Sequence, residues 1–174
     1  MDPVVLFQRA AGGAVDVAAQ VRPDQMALRT PCTEWDVATL LAHMQGGPGY
    51  LLGALGADPP SDERYDAAVA RCAQVLRRPG ALERMCVSPA GFEWSVAEAT
   101  AGTAMDQLVH TWDLAVAIGG DRKLDPEIVD AIVAMFLPQM PEIGRQAGLV
   151  GPEVAVAADA SAQDRLLGAM GRHP

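Results

Sequence analysis

Residues 104–119 read AMDQLVHTWDLAVAIG, a run with no proline and no glycine before its last position. Read as one helix, it sets Asp106 and His110 one turn apart on the same side, with Asp113 close to that stripe. A carboxylate and an imidazole at this spacing can chelate one ion without bending the backbone. The third ligand that suggests itself is His43, in LLAHM on a second predicted helix. The expected architecture is therefore a helical bundle organised around a candidate metal site of His43, Asp106 and His110.

The flanks of the run support a long helix. Ser95 and Glu98 form a capping-box pattern, with Trp94 as the hydrophobic residue just outside it, and Gly119 and Gly120 mark the exit. Asp125 followed by Pro126 then reads as an N-cap with proline at the first helical position. The helix that begins there has a wide apolar face of Ile128, Val129, Ile132, Val133 and Phe136, which leaves a homodimer open. Residues 140–149 are too irregular to assign. Val154–Ala157 is a short β-prone run, and Ser161–Met170 reads as a short final helix or a tail segment.

Upstream, Tyr65–Leu76 is a third amphipathic stretch stopped by Arg77, Arg78, Pro79 and Gly80. A Gly-, Pro- and Asp-containing loop precedes it at 56–63, and Arg84–Val87 follows as a segment that could be extended. The second helix is expected to begin with Thr33 as N-cap and Asp36 three residues on. Gly46, Gly47 and Pro48 should weaken or interrupt it before Tyr50–Leu55 resume it. Val4, Val5, Phe7, Ala11, Ala14, Val15, Ala18 and Val21 give the first helix its apolar face. The principal elements are thus expected near 3–21, 36–55, 64–77 and 95–118, with an accessory helix from 126. This makes one all-α domain over 1–174, with a core bundle at about 3–118 and an accessory region at 119–174.

Composition narrows the partners. Thirteen basic against twenty-two acidic side chains give a net charge of −9, which argues against a nucleic-acid groove and an anionic membrane surface. No stretch reads as a signal peptide or a membrane span, so a cytoplasmic location is expected. Cys32, Cys72 and Cys86 have no CxxC pairing and read as free thiols. Cys32 differs from the others because it lies in a polar loop before a helix, where a thiol pKa can fall.

The candidate ligands also have ordinary readings. A histidine between leucine and methionine can be a hydrogen-bonded structural residue, and an exposed Asp106–His110 pair would contribute only about 0.2–0.5 kcal/mol as a helical ion pair. Asp113 could orient an imidazole or simply be an exposed carboxylate. His173 is assigned to a tail. A buried carboxylate beside an imidazole, however, needs a strong reason to be there. A divalent ion supplies one, since two imidazoles and a carboxylate suit zinc first and also nickel, iron or manganese.

TPCTEW followed by LLAHM, then VHTWDLAVAIG and the closing QDRLLGAMGR, resembles actinobacterial metal-binding proteins related to mycothiol-dependent maleylpyruvate isomerase, within the DinB-like helical-bundle superfamily. The resemblance implies a four-helix core in up-down-down-up order with a metal bound near its middle. In the isomerase the ligands are a histidine on the second helix and a Glu-x-x-x-His pair on a later one, which fall on His43 and on Asp106 and His110. Asp106 departs from that pattern by one methylene. The resemblance also implies a low-molecular-weight thiol such as mycothiol as cofactor, with a small-molecule substrate. Arg29, Arg77, Arg78 and Arg84 could meet such a thiol or be ordinary surface charges. A thiol-dependent transferase or isomerase, a non-enzymatic metal-dependent binding or regulatory module, and a structural bundle without metal are the three readings in competition.

Overall fold

In a computed structural model that describes residues 1–58 and 64–174, the chain is an all-α bundle with one two-stranded hairpin. Its main helices are α1 (Pro3–Ala18), α2 (Val37–Ala54), α3 (Tyr65–Leu76) and α4 (Val96–Ile118). Residues 59–63 of the expected loop lie outside the described residues. The hairpin pairs β1 (Met85–Val87) with β2 (Glu93–Ser95) antiparallel, Cys86 opposite Trp94, so the doubtful extended segment is a strand.

The long helix α4 starts as its sequence predicts. Ser95 Oγ accepts from Glu98 N, and Glu98 Oε2 accepts from Ser95 N at 2.7 Å, so two N–H groups at the helix start are satisfied reciprocally. It ends where Gly119 turns left-handed. Because α4 is buried through its middle, it serves as the central element: α1 and α2 pack on it, and α3 packs on those two in turn. Leu6, Phe7, Leu40, Met44, Leu51, Leu52, Leu76 and Leu114 are fully buried between them. Each such side chain contributes about 1.5–3 kcal/mol of transfer free energy.

Side-chain contacts fix the directions. Gln25, just after α1, donates to the carbonyl of Ile118 at the end of α4, so these two helices run parallel. Arg77 at the end of α3 reaches Gln8 near the start of α1, so that pair is antiparallel. His43 and Tyr50 of α2 meet Asp106 and Trp94 respectively, which makes α2 antiparallel to α4. The order is up, down, down, up.

Two expected boundaries move, and one expected interruption does not occur. Helix α1 stops at Ala18 rather than 21, because the chain tightens into 3-10 turns there and again at Pro23–Gln25. The N-cap of α2 is Asp36, not Thr33: Trp35 N bonds to Cys32 O in a separate turn, and Asp36 Oδ1 accepts from Thr39 N at 2.8 Å. Most consequential is that α2 continues through Gly46, Gly47 and Pro48 to Ala54. Pro48 has no N–H to give the Met44 carbonyl, but Gln107 Nε2 of α4 donates to that carbonyl at 2.9 Å. Gly47 makes room for it, since a Cβ there would lie 2.8 Å from Gln107 Nε2.

Beyond the core, α5 (Pro126–Phe136), α6 (Met140–Gln146) and α7 (Ala162–Ala169) complete the described chain. Asp125 caps α5 with Pro126 inside it, as its sequence predicts. The apolar face of α5 is buried within the chain by α7, α1 and α4, so it supplies no reason for a second copy. The β-prone run 154–157 is not a strand; Val154 N bonds instead to Gly168 O of α7. Among the described residues no helix is long and apolar enough to cross a membrane.

Candidate metal centre

His43 comes from the middle of α2, and Asp106 and His110 come from facing turns of α4. The antiparallel packing brings the three side chains together. His43 Nε2 lies 3.2 Å from both Asp106 oxygens, and His110 Nε2 lies 3.3 Å from Asp106 Oδ1. One ligand atom from each falls within 4.8 Å of the others. Trp35, in the turn before α2, lies with its ring centre 4.7 Å from that of His43 and 5.6 Å from that of His110. His43 and Asp106 keep 39% and 36% of their side-chain surface, whereas His110 keeps 10%, so the cluster has a solvent side and a closed side.

Asp106 and His110 shift each other's titration. Burial pushes the Asp106 carboxyl up, but the charge and hydrogen bond of His110, then those of His43, hold it well below the usual carboxylate range. Burial likewise pulls the His110 imidazole down, while Asp106 and then bonds to Asp113 and Cys32 lift it well above its ordinary value. Asp106 and His110 thus each favour the charged form of the other. Tetrahedral zinc with ligand bonds near 2.0–2.1 Å separates its donors by roughly 3.3 Å. The 3.2 and 3.3 Å separations at Asp106 match that donor spacing.

The closed side is built around Asp113, whose side chain is 0% exposed. Asp113 Oδ2 accepts from His110 Nδ1 at 2.9 Å, so the carboxylate that the sequence leaves between two roles lies against the imidazole. The same oxygen accepts from Arg172 Nη2 at 2.7 Å and from Cys32 Sγ at 3.3 Å, and Arg172 Nε donates to Oδ1 at 3.2 Å. Cys32 thus has the neighbours that its sequence context could not supply. Cys32, His110 and Asp113 form a second set with metal-ligand spacing, but Arg172 Nη2 stands 3.2 Å from the sulfur and fills that place with its own charge.

Sequence reading missed Arg172, which contacts α4 from 59 residues downstream. Its only signal is the closing GAMGR stretch, which no spacing argument connects to Asp113. The arginines considered instead lie elsewhere: Arg77 bonds Gln8, Arg84 bonds the Leu55 carbonyl, and Arg29 and Arg78 are exposed. Tyr65 and Gln107 were missed too. The Tyr65 hydroxyl donates to Gln107 Oε1, and burial together with the Asp106 charge pushes that phenol up, so it stays a neutral donor. His173 is exposed, as assigned.

Residues 7–83 match the family described as mycothiol maleylpyruvate isomerase N-terminal domain. The matched segment contains His43 and stops before Asp106 and His110. The chain is also 33% identical over 135 residues to an uncharacterized protein of Mycobacterium tuberculosis, found in strains CDC 1551/Oshkosh and ATCC 25618/H37Rv, an alignment covering 74% of each chain. No solved structure matches.

Proposed function

The chain belongs to the mycothiol maleylpyruvate isomerase N-terminal domain family, and from that membership we propose that it binds one divalent metal ion through His43, Asp106 and His110 and presents it to a low-molecular-weight thiol. The observation that carries this reading is the convergence of two imidazoles and a carboxylate from two antiparallel helices at metal-donor spacing. Zinc suits this donor set best, with nickel, iron or manganese as alternatives. When bound, such an ion stabilises a thiolate or hydroxide at neutral pH.

The chain's own residues define the rest of the chemistry. Three protein ligands leave a coordination position for an incoming group, the arrangement of reactive rather than closed structural sites. The partial exposure of His43 and Asp106 would let an incoming group reach a bound ion from solvent, while Trp35 walls both imidazoles. Asp113 fixes the ring of His110 from behind through Nδ1. Thiol transfer or thiol-dependent isomerisation of a small molecule is the reaction class that fits a thiol-presenting metal, with mycothiol as the candidate thiol.

Protein purified without a histidine tag should carry a divalent metal by elemental analysis, and H110A should lose it while H173A keeps it. Calorimetry should then detect mycothiol binding to zinc-loaded protein and not to the metal-free or H110A protein. Equal metal content in H110A and H173A would reject the ligand assignment. Identical weak mycothiol binding in all three preparations would reject the thiol and leave a metal-dependent binding module.

A further inference from the structure

Arg172 is placed by a helix cap rather than by chance contact. Helix α7 ends in a Schellman motif: Arg172 N bonds to Leu167 O at 2.8 Å and Gly171 N to Gly168 O at 3.0 Å. That motif needs the left-handed φ of 81° that Gly171 adopts, and a Cβ at Gly171 would also lie 3.1 Å from Pro152 O. The turn aims the guanidinium back at α4. There Arg172 grips Asp113 with two donors, Nη2 to Oδ2 and Nε to Oδ1, while its Nη1 donates to Met170 O at 2.6 Å. The fork fixes the plane of the carboxylate, because a planar guanidinium with two bonds to one carboxylate leaves it no free rotation.

We propose that Arg172 is a positioning residue for the metal centre: by locking Asp113, it holds the Nδ1–H of His110 and so aims the opposite nitrogen, Nε2, at His43 and Asp106. The proposal rests on the metal reading above and adds to it a dependence on a segment outside the four core helices. The geometry makes it a relay of three side chains. Asp113 has no exposed surface from which water could replace the guanidinium, and its Oδ2 already receives His110, Arg172 and Cys32. Without the fork, the carboxylate can turn toward Cys32 or draw His110 off its axis. The imidazole then no longer presents Nε2 along a fixed line, which is the usual consequence of losing an outer-shell partner.

The test uses the full chain as wild type, R172M, R172K and H173A, each checked for a helical circular dichroism spectrum. Two readouts are taken: cobalt affinity from its visible absorption bands, and the Nδ1–H proton resonance of His110 in the metal-free protein. R172M is expected to bind cobalt about 10–100-fold more weakly and to lose the slowly exchanging Nδ1–H resonance. R172K, which keeps the charge but not the fork, should recover only part of each, and H173A should match wild type. Unchanged cobalt affinity and an unchanged resonance in folded R172M and R172K would overturn the proposal. A wild-type chain that binds no cobalt overturns the metal reading instead, and the resonance alone then decides the role of Arg172.

Discussion

Asp106 and Asp113 lie two turns apart on α4 and bond to opposite nitrogens of the same histidine, yet their surroundings differ in one respect that sets their roles. Asp113 is fully buried and has a guanidinium gripping it with two donors. Asp106 is 36% exposed and has the imidazoles of His43 and His110 beside it. A carboxylate with a permanent cation in place has its charge matched within the protein, whereas one facing titratable imidazoles can trade a proton for a metal ion. Burial alone would single out Asp113, whereas the proposed ligand is the more exposed Asp106. The availability of a place for a cation separates them.

The largest effect expected from this contrast is on stability. Asp113→Ala leaves the buried Arg172 and His110 without their shared acceptor, a loss of about 3–5 kcal/mol for breaking a buried pair on one side. Asp106→Ala in the metal-free protein removes a partly exposed acceptor and should cost about 1 kcal/mol or less. Urea unfolding of the two variants in chelator measures both. Equal losses would break the distinction between a closed and an open carboxylate.

The two carboxylates also differ in what pH does to the site. His110 has a raised folded pKa, so its contribution to metal-free stability is complete below the ordinary histidine value of about 6.5 and fades as pH rises through the folded value. Asp106 is depressed, so its contribution holds above the ordinary aspartate value of about 3.9 and fades as pH falls through the folded one. Zinc competes with the His110 proton, and its apparent affinity should therefore rise with pH, by up to about tenfold per unit while that proton is still bound. Thermal melts across neutral to mildly alkaline pH should diverge: the metal-free chain loses stability from this pair, while the zinc-loaded chain holds level because its rising zinc affinity offsets that loss. Parallel trends in the two forms would mean that the ion does not displace the His110 proton.

How much of this was legible in sequence follows from how local each signal is. The capping box at Ser95 and Glu98 and the Asp125–Pro126 start of α5 are written in neighbouring residues and were read correctly. So was the one-turn spacing of Asp106 and His110. The continuity of α2 was not, because the group that satisfies Met44 O is Gln107, 63 residues away. Asp113 was ambiguous for the same reason: spacing shows its distance from His110, but only the cap of α7 brings in the arginine that lets it be buried. The Thr33 cap was misread because a turn at Cys32–Trp35 delays the helix start to Asp36. In each miss the deciding partner is tertiary, or a turn competes with the cap.

The smallest expected effect is at Cys32, and it is the sharpest check on which side of His110 takes the metal. Cys32, His110 and Asp113 are close enough to hold an ion by geometry alone, and thiolate is a stronger zinc ligand than carboxylate. A dication there would have to displace the guanidinium that stands 2.7 Å from Asp113 and 3.2 Å from the sulfur. It would also face the positive charge at close range in a site with little solvent screening. Cys32→Ser keeps a donor toward Asp113 and an acceptor toward Arg172. Its cost to stability should therefore stay within about 1 kcal/mol, and zinc stoichiometry and affinity should match wild type. If C32S lost the metal while H43A kept it, the ion would belong on the Asp113 side, and the assignment of the two carboxylates would have to be exchanged.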